Sequence, residues 1–377
     1  MGDLRLVPAL DRLVRLSAQP GWAWAPVDRR GQDGTAHPLC QRSFVRAMVL
    51  AAAAAGLSAR MSFEVEWILS SGPGPEVVPA TTEPAYGMSR LVDLSDYCRD
   101  LLVALEDESV AVDQLHPEYA PGQFELSVAA ADPLAAADTN VLVRQTIRAV
   151  TLRHGMRASF APAVVAGGVG NGGHLHLSLW RDGHSLMAGG PGPHGLDREA
   201  ESFLAGVLEG LPALLAVGAP SVGSYQRLVP GRWSGPWQCW GRENREAALR
   251  LVTGSAGTES WAANAEVKCL DSSASPYLVV GAVLALGLAG LSGGKGLPPE
   301  VTVDPAGLPE AHLAVVGGGR LPTSLSEALE HFEASEVLAQ AMGRRLFETF
   351  AAVRRAEVAL FAGATADEVV AASRWRY

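Results

Sequence analysis

The chain is short of the features that mark secretion, membrane insertion or nucleic-acid binding. Its four cysteines, Cys40, Cys98, Cys239 and Cys269, lie far apart without a C-x-x-C spacing. That argues against a disulfide framework and fits reduced thiols in a cytoplasm. The N-terminal Met-Gly-Asp-Leu-Arg has no apolar signal core. The longest apolar run, Tyr277 to Leu291, is 15 residues. A bilayer asks for about 20, so this run reads as a buried helix. A net charge of −10 disfavours nucleic acid or an anionic membrane as main partner, and suits a protein that gathers divalent cations. There is no internal repeat and no low-complexity tail. With 48% hydrophobic and 19% charged residues in 377, the chain has enough apolar surface for a substantial core, in one large domain or two ordinary ones.

Residues 1–40 show little periodicity and are broken by Pro20, Gly21 and the turn-rich stretch 29–34. From Gln41 an alanine-rich segment predicts a helix ended by Gly56. Helices are also expected over 138–154, stopped by Gly155, and over 198–216. Ser324-x-x-Glu327 and Thr365-x-x-Glu368 match the capping box that opens a helix. The stretches 164–173 and 187–196 are glycine-rich loops, the second expected to be mobile. Strands recur among helices without strict alternation, so the fold class is α+β rather than a doubly wound sheet.

Four short segments alternate apolar with polar residues and so read as strands with one face buried. In Met61–Leu69, Phe63, Val65 and Trp67 oppose Glu64 and Glu66. In Gln123–Val128, which follows the Pro121-Gly122 turn and its preceding Glu118, Phe124 and Leu126 oppose Glu125. In His174–Trp180 the leucines oppose His174 and His176, and in Ala265–Leu270 Val267 and Cys269 oppose Glu266 and Lys268. Any one of these polar faces alone reads as a solvated surface, and a lone His176 as a hydrogen-bonded structural histidine. Four together favour one shared surface, on which clustered carboxylates repel unless metal ions bridge them. Oxygen-rich donors with at most one imidazole per ion point to Mg²⁺ or Mn²⁺ rather than Zn²⁺. No nucleophile–base pair is evident.

Over roughly residues 40–377 the chain resembles the glutamine synthetase family. Six motifs carry the resemblance in family order: Phe-Glu-Val-Glu (63–66), Glu-Tyr-Ala-Pro-Gly-Gln-Phe-Glu (118–125), Asn-Gly-Gly-His-Leu-His-Leu-Ser-Leu (171–179), Ser-Tyr-Gln-Arg-Leu-Val-Pro-Gly (224–231), Gly-Arg-Glu-Asn-Arg-Glu-Ala-Ala-Leu-Arg (241–250) and Asp-Ser-Ser-Ala-Ser-Pro-Tyr-Leu (271–278). The resemblance implies a glutamine synthetase/guanido kinase-like catalytic domain over 41–377. Its curved antiparallel sheet, flanked by helices, would hold divalent ions, ATP and glutamate. It implies Glu66, Glu118 and Glu125 as ligands of the ion nearer the amino acid, and Glu64, His174 and Glu266 as ligands of the ion nearer the nucleotide. Arg245 and Arg250 resemble the pair that neutralises the transferring phosphate. Asp113 stands where the family has a nucleotide-contacting glutamate. Asn171, Gly172 and Arg227 resemble groups that bind the glutamate backbone, Arg227 through a bidentate carboxylate grip. The implied chemistry is phosphorylation of the γ-carboxylate by ATP, followed by displacement of phosphate by an amine.

Three departures qualify that expectation. Residues 1–40 are too few for the family's N-terminal β-grasp domain and read as a remnant of that region. Trp233 occupies the position of the glutamate that binds ammonium and takes its proton. Lys268 replaces an arginine near the γ-carboxylate, keeping charge but losing the planar fork. The glycine motif is also two residues shorter than in ammonia-using members, and Ala163 stands where a lysine is common. These changes resemble the branch of γ-glutamyl-amide ligases that act on organic amines. Trp233 is suited to pack on an apolar amine or attract a cationic one, and plain loop packing is the alternative. The expectation is a cytoplasmic, homo-oligomeric ATP-dependent ligase whose partners are glutamate and a small amine, with no nucleic acid and no membrane. An ordinary ammonia-using glutamine synthetase and a catalytically weak homologue with a binding or regulatory role are the alternatives.

Overall fold

The structure is a computed structural model that describes residues 3–316 and 318–377. Thirteen strands are described: β1 (Arg5–Pro8), β2 (Val14–Arg15), β3 (Ala23–Trp24), β4 (Val27–Arg30), β5 (Ser58–Ser71), β6 (Val112–Pro117), β7 (Gln123–Val128), β8 (Met156–Ser159), β9 (Leu175–Arg181), β10 (His184–Ser185), β11 (Trp237–Arg242), β12 (Ala247–Val252) and β13 (Asn264–Val267). Nine of them form one sheet in the order β11-β12-β13-β9-β5-β7-β6, with β10 beside β9 and β8 beside β5. The remaining four make two small ribbons, β1·β4 and β2·β3.

The backbone of the sheet is β5, longer at both ends than its alternation predicts. Met61, Phe63, Val65, Trp67 and Leu69 are all buried on one side of it. Phe124 on β7 stacks on Trp67 with ring centroids 6.1 Å apart. Against this face pack the helices Gln41–Ala54, Pro133–Arg153, Arg198–Gly218 and Pro276–Ser292. The helix Pro133–Arg153 starts before the predicted 138 because Asp132 caps it, accepting from the backbone N–H groups of Leu134 and Ala135. Arg198–Gly218 is long and apolar enough to cross a membrane, but most of it is buried in this core. It crosses Pro276–Ser292 where Gly206 faces Gly290. A Cβ on either glycine would strike the other's backbone, so the approach requires both.

The expected antiparallel sheet is antiparallel throughout except at β11 and β12, which run parallel. Only residues 243–246 connect that pair, and they form a turn in which Glu243 has φ +54°. Thr365 and Glu368 make a complete capping box. At 324 only half of one forms: Ser324 accepts from the Glu327 N–H, while the Glu327 carboxylate accepts from the N–H of Thr323 instead. The loop 187–196, expected to be mobile, is ordered by Gly190 N–H to Gly195 O, Gly192 N–H to Leu196 O and an ion pair of His194 with Glu300.

Residues 5–30 are tied to this body by charge. Arg42, buried, grips Asp138 with two hydrogen bonds of 2.8 and 2.9 Å and reaches Asp28 on β4 with its third nitrogen, at 2.8 Å. The N–H of Ser17 donates to the buried Glu108.

Candidate active site

The face of the sheet opposite the helices floors a cleft of about 790 Å³. Strand register decides what meets there. Arg250 on β12 is directly opposite Glu266 on β13, and Glu266 is opposite His176 on β9. On the other flank Glu66 on β5 is opposite Glu125 on β7, and Glu125 is opposite His116 on β6. Two rows of polar side chains therefore cross the floor, and Glu64 and His174 stand between them. The Glu64 N–H donates to the His174 carbonyl, which fixes that junction.

Within the rows the donor atoms converge. His174 Nδ1 lies 3.0 Å from Glu64 and 3.2 Å from Glu266, and His176 Nε2 lies 3.0 Å from Glu64. His116 Nε2 is 3.2 Å from Glu125 and its Nδ1 is 3.6 Å from Glu118. Among the described residues three sets have donor atoms within 4.8 Å of one another: Glu64–Glu125–His174, Glu64–His176–Glu266 and His116–Glu118–Glu125.

Electrostatics bind the cluster tightly. Burial alone would raise Glu64, but the charge of His176 and hydrogen bonds from His174 and His176 hold it below the usual carboxylate range. Burial likewise opposes the ionisation of Glu266, and Lys268 and His174 outweigh it, keeping Glu266 well below that range. Glu125 is pushed up to about 7, first by burial and then by Glu64 and Glu66, against a hydrogen bond from His116. The same hydrogen bond raises His116 to about 9. Burial disfavours the charged form of His176, but Glu64 wins and brings it to about 9. These imidazoles hold, as protons, the positive charge that the carboxylates demand.

The donor set fits divalent ions. Carboxylate oxygens dominate, each triplet is within reach of one centre, and replacing protons on imidazole by metal is ordinary linkage. Gly172 adds a geometric sign, because a Cβ there would run into His174, Arg227 and Glu66. The backbone at Gly172 is thus pressed against the donors, its N–H donating to Glu66 at 2.8 Å.

The predicted residues are distributed as follows. Glu64, Glu66, Glu118, Glu125, His174, Glu266, Arg227, Trp233, Arg245, Arg250 and Lys268 all line the one cleft. Glu66 does not join the Glu118–Glu125 triplet. One of its oxygens accepts from Gln123 and Gly172, and the other faces His174 at 3.8 Å. Arg227 is buried, with Nη2 3.0 Å from His174 Nε2 and Nη1 without a hydrogen-bond partner among the described residues. Lys268 is buried and donates to Glu266 at 3.1 Å. Arg250 donates to Glu266 and to Glu243, whereas Arg245 stands exposed on the rim. Asp113 is exposed on β6 and lines an adjoining trough of about 550 Å³, which shares Glu64 and His176 with the cleft. Asn171 is fully buried outside the cleft lining. Its amide donates to the carbonyls of Ser159 and Ala161 and accepts from Gln123, so its side chain fixes the loop instead of meeting a ligand.

Sequence reasoning left out His116, two residues before Glu118, and gave His176 only a structural role. The alternation rule already put His176 on the ligand face. Alternation also put Gln123 on the face of Glu125 without giving it a role, and Arg90 was left out. Arg90 is buried and donates to the carbonyls of Glu83, Glu118 and Ala120 at 2.6–2.7 Å. No periodicity marks such a brace, because it acts from a side chain on distant backbone.

A sheet with one apolar face on helices and one face of carboxylates, imidazoles and arginines defines a metal-dependent enzyme of phosphoryl chemistry. The family described as glutamine synthetase, catalytic domain, matches residues 38–371. The chain is 55% identical to the gamma-glutamylpolyamine synthetase GlnA3 of Streptomyces coelicolor, over 100% of this chain and 81% of that protein. It superposes on a crystal structure of a novel glutamine synthase homolog with a TM-score of 0.88 at 33% identity, covering 100% of this chain and 85% of that one. The ADP complex of GmaS matches with a TM-score of 0.86 at 30% identity, covering 97% and 84%. The chain belongs to the glutamine synthetase family and is an ATP-dependent carbon–nitrogen ligase. ATP and divalent metal ions are general to that family.

Proposed function

We propose that this enzyme phosphorylates the γ-carboxylate of glutamate and joins it to an organic amine, with polyamines the favoured class. The observation that carries the amine is the cleft rim at Trp233. A carboxylate beside that position, Glu246, is buried, and its two oxygens accept from the N–H groups of Trp233 and Gly231, at 2.8 and 3.4 Å. Glu246 is thereby engaged by backbone, and an indole at 233 cannot take a proton from ammonium. The activity printed for the Streptomyces relative supports the same direction.

Mg²⁺ or Mn²⁺ would be held by Glu64, His174, His176 and Glu266 on one flank and by His116, Glu118 and Glu125 on the other, with Glu66 between them. Bound there, the ions supply charge neutralisation for a transferring phosphoryl group. The chain's own residues do the rest. Arg227, with an unpartnered buried Nη1, is suited to the α-carboxylate of glutamate, because leaving that nitrogen unpaired is costly. The backbone of Gly172, rather than the side chain of Asn171, borders the same spot. Arg245 and Arg250 face developing negative charge on phosphate, and Lys268 holds Glu266 in place. Asp113 and the adjoining trough are assigned to the nucleotide. A boundary near residue 40, a cytoplasmic setting and a homo-oligomer belong to this reading. Four buried free thiols and a family match that begins at residue 38 support the first two.

The test is phosphate release from ATP by the purified protein with Mg²⁺ or Mn²⁺, glutamate and a panel of amines including ammonia, butylamine and 1,4-diaminobutane. Turnover with organic amines is expected, with the γ-glutamyl amide identified by mass. Turnover with ammonia alone would sink the proposal.

A further inference from the structure

The two loops at the Arg227 end of the cleft are held by residues from the far end of the sequence. Loop 160–173 leads to Gly172, and residues 219–223 lead to the short helix Ser224–Arg227. Ser159 to Val164 are all buried, and a buried carbonyl outside regular structure needs a donor. Arg374, itself buried, donates to the Val164 carbonyl at 2.9 Å, and its own carbonyl accepts from the Ser159 hydroxyl. The N–H of Phe160 donates to the main-chain oxygen of Tyr377 at 3.2 Å.

The second loop is held in the same way. Arg354, on the helix Glu336–Leu360, donates to the Pro220 carbonyl at 2.6 Å. Glu357, buried, accepts from the Val222 N–H at 3.2 Å and pairs with Arg354 at 3.1 Å. What these bonds fix is passed to the site by contact. The Asn171 side chain donates to the carbonyls of Ser159 and Ala161, and its N–H to that of Pro162. A Cβ on Gly170 would strike the Pro162 carbonyl, so residues 170–171 lie directly on 159–162. Gly172 follows, with its N–H on Glu66. On the other loop Arg227 ends the helix that starts at Ser224, and its Nη2 meets His174 and the Lys268 carbonyl.

The anchor points gather at one end of the cleft. The trough assigned to the nucleotide is walled instead by β5, β6, β7, β9 and residues 261–264. Arg374 also reaches the Pro75 carbonyl at 3.1 Å and Glu76 at 2.8 Å, but Glu76 is exposed and such a pair contributes little. The bonds to Val164 and Pro220 are different. Each joins a charged donor to a loop carbonyl, and losing the donor leaves the carbonyl unpaired and its loop free to shift. A carboxylate held between the Arg227 fork and the backbone at Gly172 requires that the two loops keep their spacing.

We propose that Arg354 and Arg374 are positioning residues that set the spacing of Arg227 and Gly172, and with it the affinity for glutamate. Neither touches substrate. This role rests on the proposed meeting of Arg227 and Gly172 with glutamate. It is tested by steady-state kinetics of phosphate release, using whichever amine of the panel supports turnover. Arg354→Met and Arg374→Met are each expected to raise the KM for glutamate about tenfold, with kcat and the KM for ATP within about twofold of wild type. Arg374→Lys keeps the charge and one donor and is expected to recover part of the affinity, which separates lost spacing from a damaged fold. Glu76→Gln removes only the exposed partner and is expected to leave every constant as in wild type. A wild-type glutamate KM in both methionine variants, or an ATP KM that rises in step with it, overturns the positioning role and leaves glutamate ligation standing. If the methionine variants do not fold, a wild-type glutamate KM in Arg374→Lys overturns it in the same way. Wild-type protein that releases phosphate no faster with glutamate than without it overturns both.

Discussion

Arg90 shows how much of a site rests on a residue that never touches substrate. Its guanidinium is buried, and desolvation lowers its pKa, so the carbonyls of Glu83, Glu118 and Ala120 are what stabilise it there. Replacing it by Met would leave those carbonyls unpaired in a closed space, at a cost of about 2–4 kcal/mol. Urea denaturation is expected to show that loss. Arg90→Lys should recover only part, since an ammonium cannot reach three carbonyls as a planar fork does. An unchanged midpoint for Arg90→Met would mean that solvent already satisfies the turn. The contrast with Glu64, Glu66, Glu125 and Glu266 is physical. Those four were legible because a strand's two-residue period sorts side chains by face, and a carboxylate opposite Val65 or Leu126 is conspicuous. Arg90 is brought to the site by a short helix and His116 by neighbouring-strand register, and neither leaves a trace in local spacing.

At the scale of elements, alternation and caps identified helices and strands well, but pairing partners are long-range facts. Nothing local distinguishes β11 and β12 as a parallel pair. Their short connection suggests a hairpin, yet across the turn at 243–246, where Glu243 has φ +54° and holds Arg250, the two strands pair in parallel register. The loop 187–196 is a second case, since its glycines suggested mobility and its anchor lies a hundred residues away. Glu300 accepts from the Arg242 N–H at 2.8 Å and from His194 at 2.6 Å. Partial burial opposes its ionisation, and those two bonds nevertheless hold it below its ordinary value of 4.5. A lowered carboxylate contributes stability that is present above its unfolded value and is lost as pH falls through the folded one. Hydrogen exchange, corrected for intrinsic rates, should therefore show Gly190 and Gly192 well protected at neutral pH and losing protection as pH falls below the ordinary carboxylate value of 4.5. Glu300→Gln should show the weaker protection at every pH, with little further acid dependence. Equal protection in variant and wild type would remove Glu300 as the anchor.

For the whole molecule, the cleft is where folding and function pull in opposite directions. Gathering four carboxylates, Glu64, Glu66, Glu125 and Glu266, on one largely buried sheet face is unfavourable until something positive joins them, and in the metal-free protein protons on His116, His174 and His176 serve. Glu125 bears the largest share of that conflict. Burial and the charges of Glu64 and Glu66 raise it to about 7, against an ordinary value of 4.5. A raised carboxylate costs nothing below its unfolded value. The cost grows as pH climbs towards the folded value and is complete above it. Metal-free Glu125→Gln is therefore expected to melt higher than the metal-free wild type at pH 8 and to show no such gain at pH 5. Divalent ions should reverse the order. Binding only to the folded state raises stability by RT ln(1 + [L]/Kd), and the loss of one ligand lowers that increment. With Mn²⁺ or Mg²⁺ present at pH 8, the wild type should gain several degrees in Tm and Glu125→Gln should gain less, so that the two melting curves cross between chelator and metal. Thermal melts in the two conditions decide it. A variant less stable than wild type without metal, or one with the full metal increment, would show that Glu125 is held by its neighbours for structure and not kept ionised for an ion.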